Sequence, residues 1–306
     1  MEDQLWKALY PVIQEEHKRH QRQRRVQFND AVILLVTLWA VLHDRPMCWA
    51  CRAKNWHGVD IGSLPSPATL SRRLRTVSVQ LLLEQVFYRY LSVVAVEAFC
   101  LCRRIDSKPL PVGGFSKDRD ARWGYATGGK CKGYKLFCCW GKAPTVPEAL
   151  LLAPLSCSDQ EGAIALIDRL GRLHGGAASG YVLADSTHDT NPLHAHAGAH
   201  GLQPLTPRKR PGTELGHREH SPYRLRCIAM LEPPSLPIHN PQARFGPELY
   251  RMRPQIERDY GNMGSFGGGL QPLPSWVRRP HRVALWTIVK LIINAARICK
   301  NAGLAA

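Results

Sequence analysis

The chain has 306 residues, 44% of them hydrophobic, and carries 41 Lys and Arg against 24 Asp and Glu, a formal charge of +17. That length can hold one large domain or two ordinary ones, and the apolar content excludes a disordered chain. A balance this basic points to a polyanion, because each phosphate contact releases counterions, and nucleic acid is the expected partner.

The N-terminus is mixed in charge and has no apolar core segment of the kind a secretory signal needs. The longest apolar run, Ala31 to Leu42, is 12 residues, short of the ~20 required to span a bilayer. Neither membrane nor export is expected, and ten cysteines in such a chain read as the reduced thiols of a cytoplasm.

Leu5 to Glu16 is helix-like and leads into a cationic run of Lys18, Arg19, Arg22, Arg24 and Arg25. Such a run is a solvated helix face, a flexible arm or a phosphate contact. Residues 27–100 read as helical, and the apolar run within them is hydrophobic nearly all round, so that helix should be buried. Ser66 can cap and Pro67 can open a short helix that carries Leu70 and Leu74 on one face and Arg72, Arg73 and Arg75 elsewhere. A helix, a turn and a short Arg-bearing helix suit a helix-turn-helix reader or an ordinary surface helix. Cys48 and Cys51, with His43 and His57 nearby, offer four potential zinc ligands, but their spacing fits no common finger and structural thiols are the simpler reading. Leu81 to Cys100 reads as a long apolar helix.

From residue 101 the period changes. Strands are predicted over 104–112, 133–140, 149–155 and 180–185, with a shorter one over 202–206. A helix over 159–173 presents Ala163, Leu166, Ile167 and Leu170 on one face. This order gives a mixed sheet with helices on its faces. Residues 207–226 read as a polar loop containing Arg208, Lys209, Arg210, Arg218, Arg224 and Arg226, and residues 283–299 as a closing apolar helix.

Three acids carry the chemistry in this reading: Asp106, Asp185 and Glu257. The two aspartates are expected near strand ends, where side chains leave an open sheet for solvent. Neighbouring carboxylates repel unless a cation lies between them, and a hard oxygen-ligated ion such as Mg²⁺ meets that demand. A third carboxylate from a helix could complete a two-metal centre for phosphoryl transfer. Each acid also has a plainer reading. Asp106 can cap a turn or pair with Arg104, and Asp185 can close an Asx turn and leave Asp189 as the better ligand. Glu257 can pair with Arg253, and Glu248, Asp259, Asp118 and Asp120 are rivals.

Four stretches carry a resemblance: Ile105-Asp106-Ser107; Lys132-Gly133-Tyr134-Lys135-Leu136; Leu183-Ala184-Asp185 with Asp189 four residues on; and Tyr250-x2-Arg253-x3-Glu257. Over roughly residues 27–300 the chain resembles DDE-type insertion-sequence transposases of the insertion-sequence-4-like group. The resemblance implies a ribonuclease-H-like catalytic domain; with the element order above, the expected fold is α/β, a mixed sheet flanked by helices over 101–306, preceded by an all-helical domain over 1–100 that the sequence pattern suggests binds DNA. The resemblance implies Asp106, Asp185 and Glu257 as catalytic ligands of two Mg²⁺ or Mn²⁺ ions, and nicking at element ends followed by attack of the 3′-hydroxyl on target DNA. Tyr250, Arg253, Lys108, Lys135, Arg72, Arg73 and Arg75 are the expected contacts to double-stranded DNA, in a homodimeric, nucleoid-associated complex. A non-catalytic DNA-binding protein and a plain metal-dependent nuclease are the alternatives. The chain departs from the family at Gly264, where a Lys is usual, at Pro254 and at Phe137. The 71 residues between Asp185 and Glu257 are too few for the large strand-rich insertion of some relatives.

Overall fold

The computed structural model describes residues 2–20, 26–59, 61–95, 100–141, 146–176, 178–232, 241–265, 269–270, 273–304 and 306. Arg22, Arg24 and Arg25 of the N-terminal cationic run lie outside these residues. The chain forms two compact units, one of Met1–Ala95 with Met263–Ala306 and one of Val96–Asn262.

The first unit is helical: α1 (Glu2–His20), α2 (Asp30–Leu42), α3 (Met47–Ala50), α4 (Pro67–Arg73), α5 (Val77–Val94) and, from the far end of the chain, α11 (Pro280–Asn301). Apolar on all sides, α2 is buried along almost its whole length, as its sequence predicts, and Asn29 caps it by accepting from the Val32 amide. Ser66 caps α4 by accepting from the Thr69 amide, with Pro67 in the first turn. Trp6, Trp39 and Trp56 stack into one aromatic cluster, with ring centroids 4.8–5.4 Å apart. The unit differs from a contiguous 1–100 domain because α11 packs along α5, α1 and α2. Its apolar stripe, which includes Val283, Trp286 and Val289, needs a complementary surface, and the buried stripe of α5 supplies one.

Residues 51–66 separate α3 from α4, far more than the three or four residues of a helix-turn-helix turn. α3 and α4 are therefore not the two halves of such a motif, whereas α4 and α5 are separated by residues 74–76 alone. His43 packs on Trp39, with ring centroids 4.2 Å apart, and Cys51 donates to the Met47 carbonyl. Among the described residues, these groups do not gather as metal ligands.

The second unit is built on β1 (Cys102–Pro111), β2 (Arg122–Ala126), β3 (Gly129–Trp140), β4 (Ala149–Pro154), β5 (Gly180–Leu183) and β6 (Leu202–Leu205). Around them lie α6 (Asp159–Leu173), α7 (Asn191–Ala199), α8 (Pro222–Leu231), α9 (Pro241–Tyr250) and the start of α10 (Gln255–Ser265). β1 is central. It pairs antiparallel with β3 on one side and parallel with β5 on the other, and β5 pairs parallel with β6. β2 and β4 share the far edge of β3, β2 along 129–133 and β4 along 134–139. Without the β2 hairpin the order is β4-β3-β1-β5-β6, with only β3 reversed. This is the ribonuclease-H-like sheet.

Alternation along each strand sorts side chains to the two faces. Ile105, Phe137 and Val182 pack against α6 and α7, while Leu183, Leu205 and Cys227 form a smaller core with Leu249 and Tyr250 on the other side. The helix predicted over 159–173 has those bounds because Ser158 and Glu161 close a capping box at its start. The predicted polar loop 207–226 is helical from Pro222 onward; Ser221-Pro222 opens α8 with the same pair of residue types that opens α4.

Candidate active site

β1 is longer than β5, and the site depends on that difference. Their parallel register runs Cys102↔Tyr181, Arg103↔Val182, Arg104↔Leu183 and then stops. Two places further on, Asp106 and Asp185 face each other beyond the end of the ladder. Asp106 is thus in the middle of its strand rather than at its end, because β1 continues against β3 alone. Asp185 leaves the sheet just after β5 and caps the short 3₁₀ turn Ser186–His188.

The period-2 alternation of β1 turns Arg104, Asp106 and Lys108 to one face and Ile105 and Ser107 to the other. On the first face, Arg104 pairs with buried Asp259 at 3.2 Å, and the Lys108 ammonium lies 5.4 Å from the Tyr260 ring centre. The Tyr260 hydroxyl donates to the carbonyls of Asp106 at 2.9 Å and Leu136 at 3.2 Å. These contacts clamp the first turns of α10 onto the strand that carries Asp106, and Glu257 lies one turn before Tyr260 on the same helix.

Between the acids sits Arg253. Its Nη2 is 3.2 Å from Asp106 Oδ2 and 3.8 Å from Asp185 Oδ2, and its Nη1 is 3.5 Å from Glu257 Oε1. One guanidinium therefore meets all three carboxylates. Their exposure rises from 20% at Asp106 to 36% at Asp185 and 75% at Glu257, so the site is closed at the sheet and open at the helix. Arg253 and Glu257 do not share a continuous helix with Tyr250. Tyr250 ends α9, residues 251–254 form a turn, and α10 begins after Pro254. Turn bonds from the Ile256 amide to Arg253 and from the Glu257 amide to Pro254 preserve the spacing.

The two aspartates are tuned in opposite directions. Burial pushes the Asp106 carboxyl above its ordinary range, while the Ser107 amide and Arg253 pull it back and the charge of Asp185 adds to the push. Burial acts the same way on Asp185 but is outweighed: the buried His188 Nδ1 lies 2.7 Å from Oδ1, the Thr187 amide donates at 3.0 Å, and the Thr187 hydroxyl also donates. Asp185 is held well below the usual carboxylate range. His188, which the sequence reading missed, stands three residues after Asp185 in the turn, a spacing that could have flagged it.

The rival acids have other employment. Arg224 holds Asp189 with two bonds, at 2.6 and 2.8 Å. Asp259 pairs with Arg104, Asp118 accepts from the Tyr134 hydroxyl at 2.8 Å, and Glu248 pairs with Arg251.

The expected DNA contacts are more scattered. The Tyr250 hydroxyl donates to the Ala184 carbonyl at 3.2 Å, next to Asp185. Lys135 lies on the opposite face of the sheet from Asp106, bonded to Asp159 at 3.1 Å and to the Cys157 carbonyl. In the helical unit Arg73 is bound to Asp30 and to the Phe28 carbonyl, whereas Arg72 and Arg75 are exposed. Exposed Lys209, Arg210 and Arg218 line a pocket of about 450 Å³ beside Asp189, where Arg208 and Arg224 are already paired with Glu232 and Asp189.

Comparison with known proteins places a sequence profile described as "Transposase DDE domain" on residues 102–294. No curated protein matches the sequence. A cryo-EM structure of a piggyBac transposase synaptic complex with hairpin DNA is similar at 12% identity and a TM-score of 0.33, over 70% of this chain and 52% of that one. The chain thus spans about half the length of that transposase. Among the described residues, no helix is long and apolar enough to cross a membrane.

Proposed function

As the chain belongs to the transposase DDE domain family, we propose that it is a DNA transposase, of the insertion-sequence-4-like group, with Asp106, Asp185 and Glu257 as its catalytic carboxylates. It cleaves DNA at the ends of its element and joins the freed 3′-hydroxyl to target DNA.

The observation that carries this reading is the convergence of those three acids on the Arg253 guanidinium. The donor set fits hard divalent cations: Asp106 Oδ2, Asp185 Oδ2 and Glu257 Oε1 turn toward one partly open centre. Two Mg²⁺ or Mn²⁺ ions held there would stabilise the attacking and leaving oxygens of an in-line displacement.

The protein's own groups do the positioning. Asp106 is fixed by β1 and by the Ser107 amide, Asp185 by His188 and Thr187, and Glu257 by the clamp of Tyr260 and Asp259 on β1. Such fixed carboxylates present charge without reorganising when the reaction occurs. In the bound complex Arg253 gives up part of its pairing and turns toward the phosphate, a planar fork suited to that group. Lys108 and Tyr250 flank it, while Lys209, Arg210, Arg218, Arg72 and Arg75 make sequence-independent backbone contacts. Two copies of the chain hold the paired ends.

A second reading, a DNA-binding protein without catalysis, is favoured by one fact: Arg253 already contacts all three acids from within. Cleavage of DNA carrying the element's terminal repeats separates the two. Mg²⁺-dependent nicking by the wild type, abolished by Asp106→Asn, supports the enzyme, whereas tight end binding with an inert wild type supports the alternative. Joining of cut ends to a plasmid distinguishes a transposase from a plain nuclease.

A further inference from the structure

A second cluster of ligand-type side chains, which the proposed reaction leaves unused, joins α6 to α7. His196 and His200 are four residues apart on α7 and its C-cap, so their rings share a face, with centroids 5.0 Å apart. Asp168 of α6 faces both: its Oδ1 is 2.7 Å from His196 Nε2 and 3.0 Å from His200 Nε2. One ligand atom from each residue lies within 4.8 Å of the others. The site is built rather than incidental. The His200 ring packs over Gly171, where a Cβ would come within 2.6 Å of Nδ1. All three side chains keep a solvent-facing edge, at 39%, 30% and 23% exposure for Asp168, His196 and His200.

One carboxylate oxygen serves two imidazoles here. Neutral rings can each give an Nε2 proton to that oxygen. In the other tautomer, with each ring's proton on Nδ1, two Nε2 lone pairs and the carboxylate converge on a common point. Two imidazoles and a carboxylate are the donor set of borderline divalent transition metals rather than of Mg²⁺. The buried Nδ1 of His200 has no hydrogen-bond partner, so no acceptor orients that ring from behind, which makes the site weaker than a supported structural zinc site.

We propose that Asp168, His196 and His200 form a binding site for a Zn²⁺-type transition-metal ion that staples α7 to α6. Each ring binds through Nε2 as its Nδ1–H tautomer, so an Nε2 proton moves to Nδ1 by way of solvent and is released only from a doubly protonated ring, and the remaining positions on the ion go to water. α7 begins two residues after Asp189, so the staple steadies the chain that leads away from Asp185.

The test is a Co²⁺ titration of the full-length chain carrying Asp106→Asn and Glu257→Gln, which removes competition from the carboxylate site. Ten free thiols are present, and cobalt reports them separately, because thiolate ligation adds a strong charge-transfer band that nitrogen and oxygen ligation lacks. The expected result is one equivalent bound with weak visible bands, no thiolate band, and a higher thermal unfolding midpoint. Adding His196→Gln should weaken binding roughly tenfold or more, about 1.4 kcal/mol. That variant keeps a side chain able to donate to Asp168, so its metal-free unfolding curve checks that it folds. Unchanged affinity in the His196→Gln and His200→Gln variants, or a thiolate band accompanying all the bound cobalt, would overturn the proposal.

Discussion

The Tyr260 hydroxyl donates to the backbone carbonyl of Asp106 at 2.9 Å. The helix that carries Glu257 is thereby fastened to the central strand at the residue whose side chain shares the Arg253 guanidinium with Glu257. Tyr260 is buried against Trp140, ring edge to ring face, with centroids 4.6 Å apart. Replacing Tyr260 by Phe keeps that packing and removes both hydroxyl bonds. The expected loss is about 1–2 kcal/mol of unfolding free energy in denaturant titration, with a larger fall in DNA cleavage than in DNA binding, since in the proposed reaction only the former needs Glu257 in place.

Asp259 anchors the same helix to the same face of β1, one residue earlier. It is fully buried and faces Arg104, and burial pushes its carboxyl upward while Arg104 restrains it. Asp259→Ala leaves a guanidinium buried and unpaired, at a cost of roughly 3–5 kcal/mol. The double variant Asp259→Ala with Arg104→Met should recover much of that stability. Urea unfolding of the single and double variants measures both.

Arg253 is the internal counter-ion of the site, and its removal has a direction that can be stated in advance. Without it Asp106 loses the charge that pulls its carboxyl down and keeps the neighbour that pushes it up. Arg253→Ala should therefore unfold at a lower temperature than wild type in chelator, and gain more from added Mn²⁺ than wild type does. Thermal melts with and without Mn²⁺ check this. An equal gain in both proteins would mean that the guanidinium and the ion do not share the acids.

A pH dependence follows from His194, which lies within 3.7 Å of Asp189 and 3.1 Å of the Thr206 hydroxyl. Burial lowers its pKa to about 4, with Asp189 opposing and Arg224 reinforcing the shift. The unfolded chain takes up this proton near pH 6.5, while the folded one resists until about pH 4. Between those values the unfolded state binds more protons, so stability falls as pH drops through that window and this contribution then levels off. The loss is up to about 3 kcal/mol. His194→Gln should flatten that part of the curve, as read by denaturant titration across the same range.

Much of this arrangement is legible in the sequence, and the limits have physical causes. Asp106 and Asp185 stand out because each interrupts or ends a strand pattern, and α6 declares its own bounds through Ser158 and Glu161. The choice between Asp185 and Asp189 is not local. It is made by Arg224, 35 residues downstream, which holds Asp189 and leaves Asp185 to face Asp106. The role of Arg253 is likewise hidden, since an i,i+4 pair with Glu257 is visible in the sequence but its reach to Asp106 depends on how the turn after α9 lies on β1. β2 escapes notice because Arg122-Trp123-Gly124-Tyr125-Ala126 lies at the edge of the sheet with exposed side chains, so no buried face imposes alternation. The apolar pattern of α11 says that it is buried, but only the partner surface says where.

The most direct test of the whole arrangement is Glu257→Gln, assayed for Mg²⁺-dependent cleavage of DNA bearing the element's ends. Glu257 is the most exposed of the three acids, at 75%, so the substitution should leave folding and end binding intact. Loss of cleavage with binding retained is the expected result. Wild-type cleavage by the Gln variant would contradict the three-acid site.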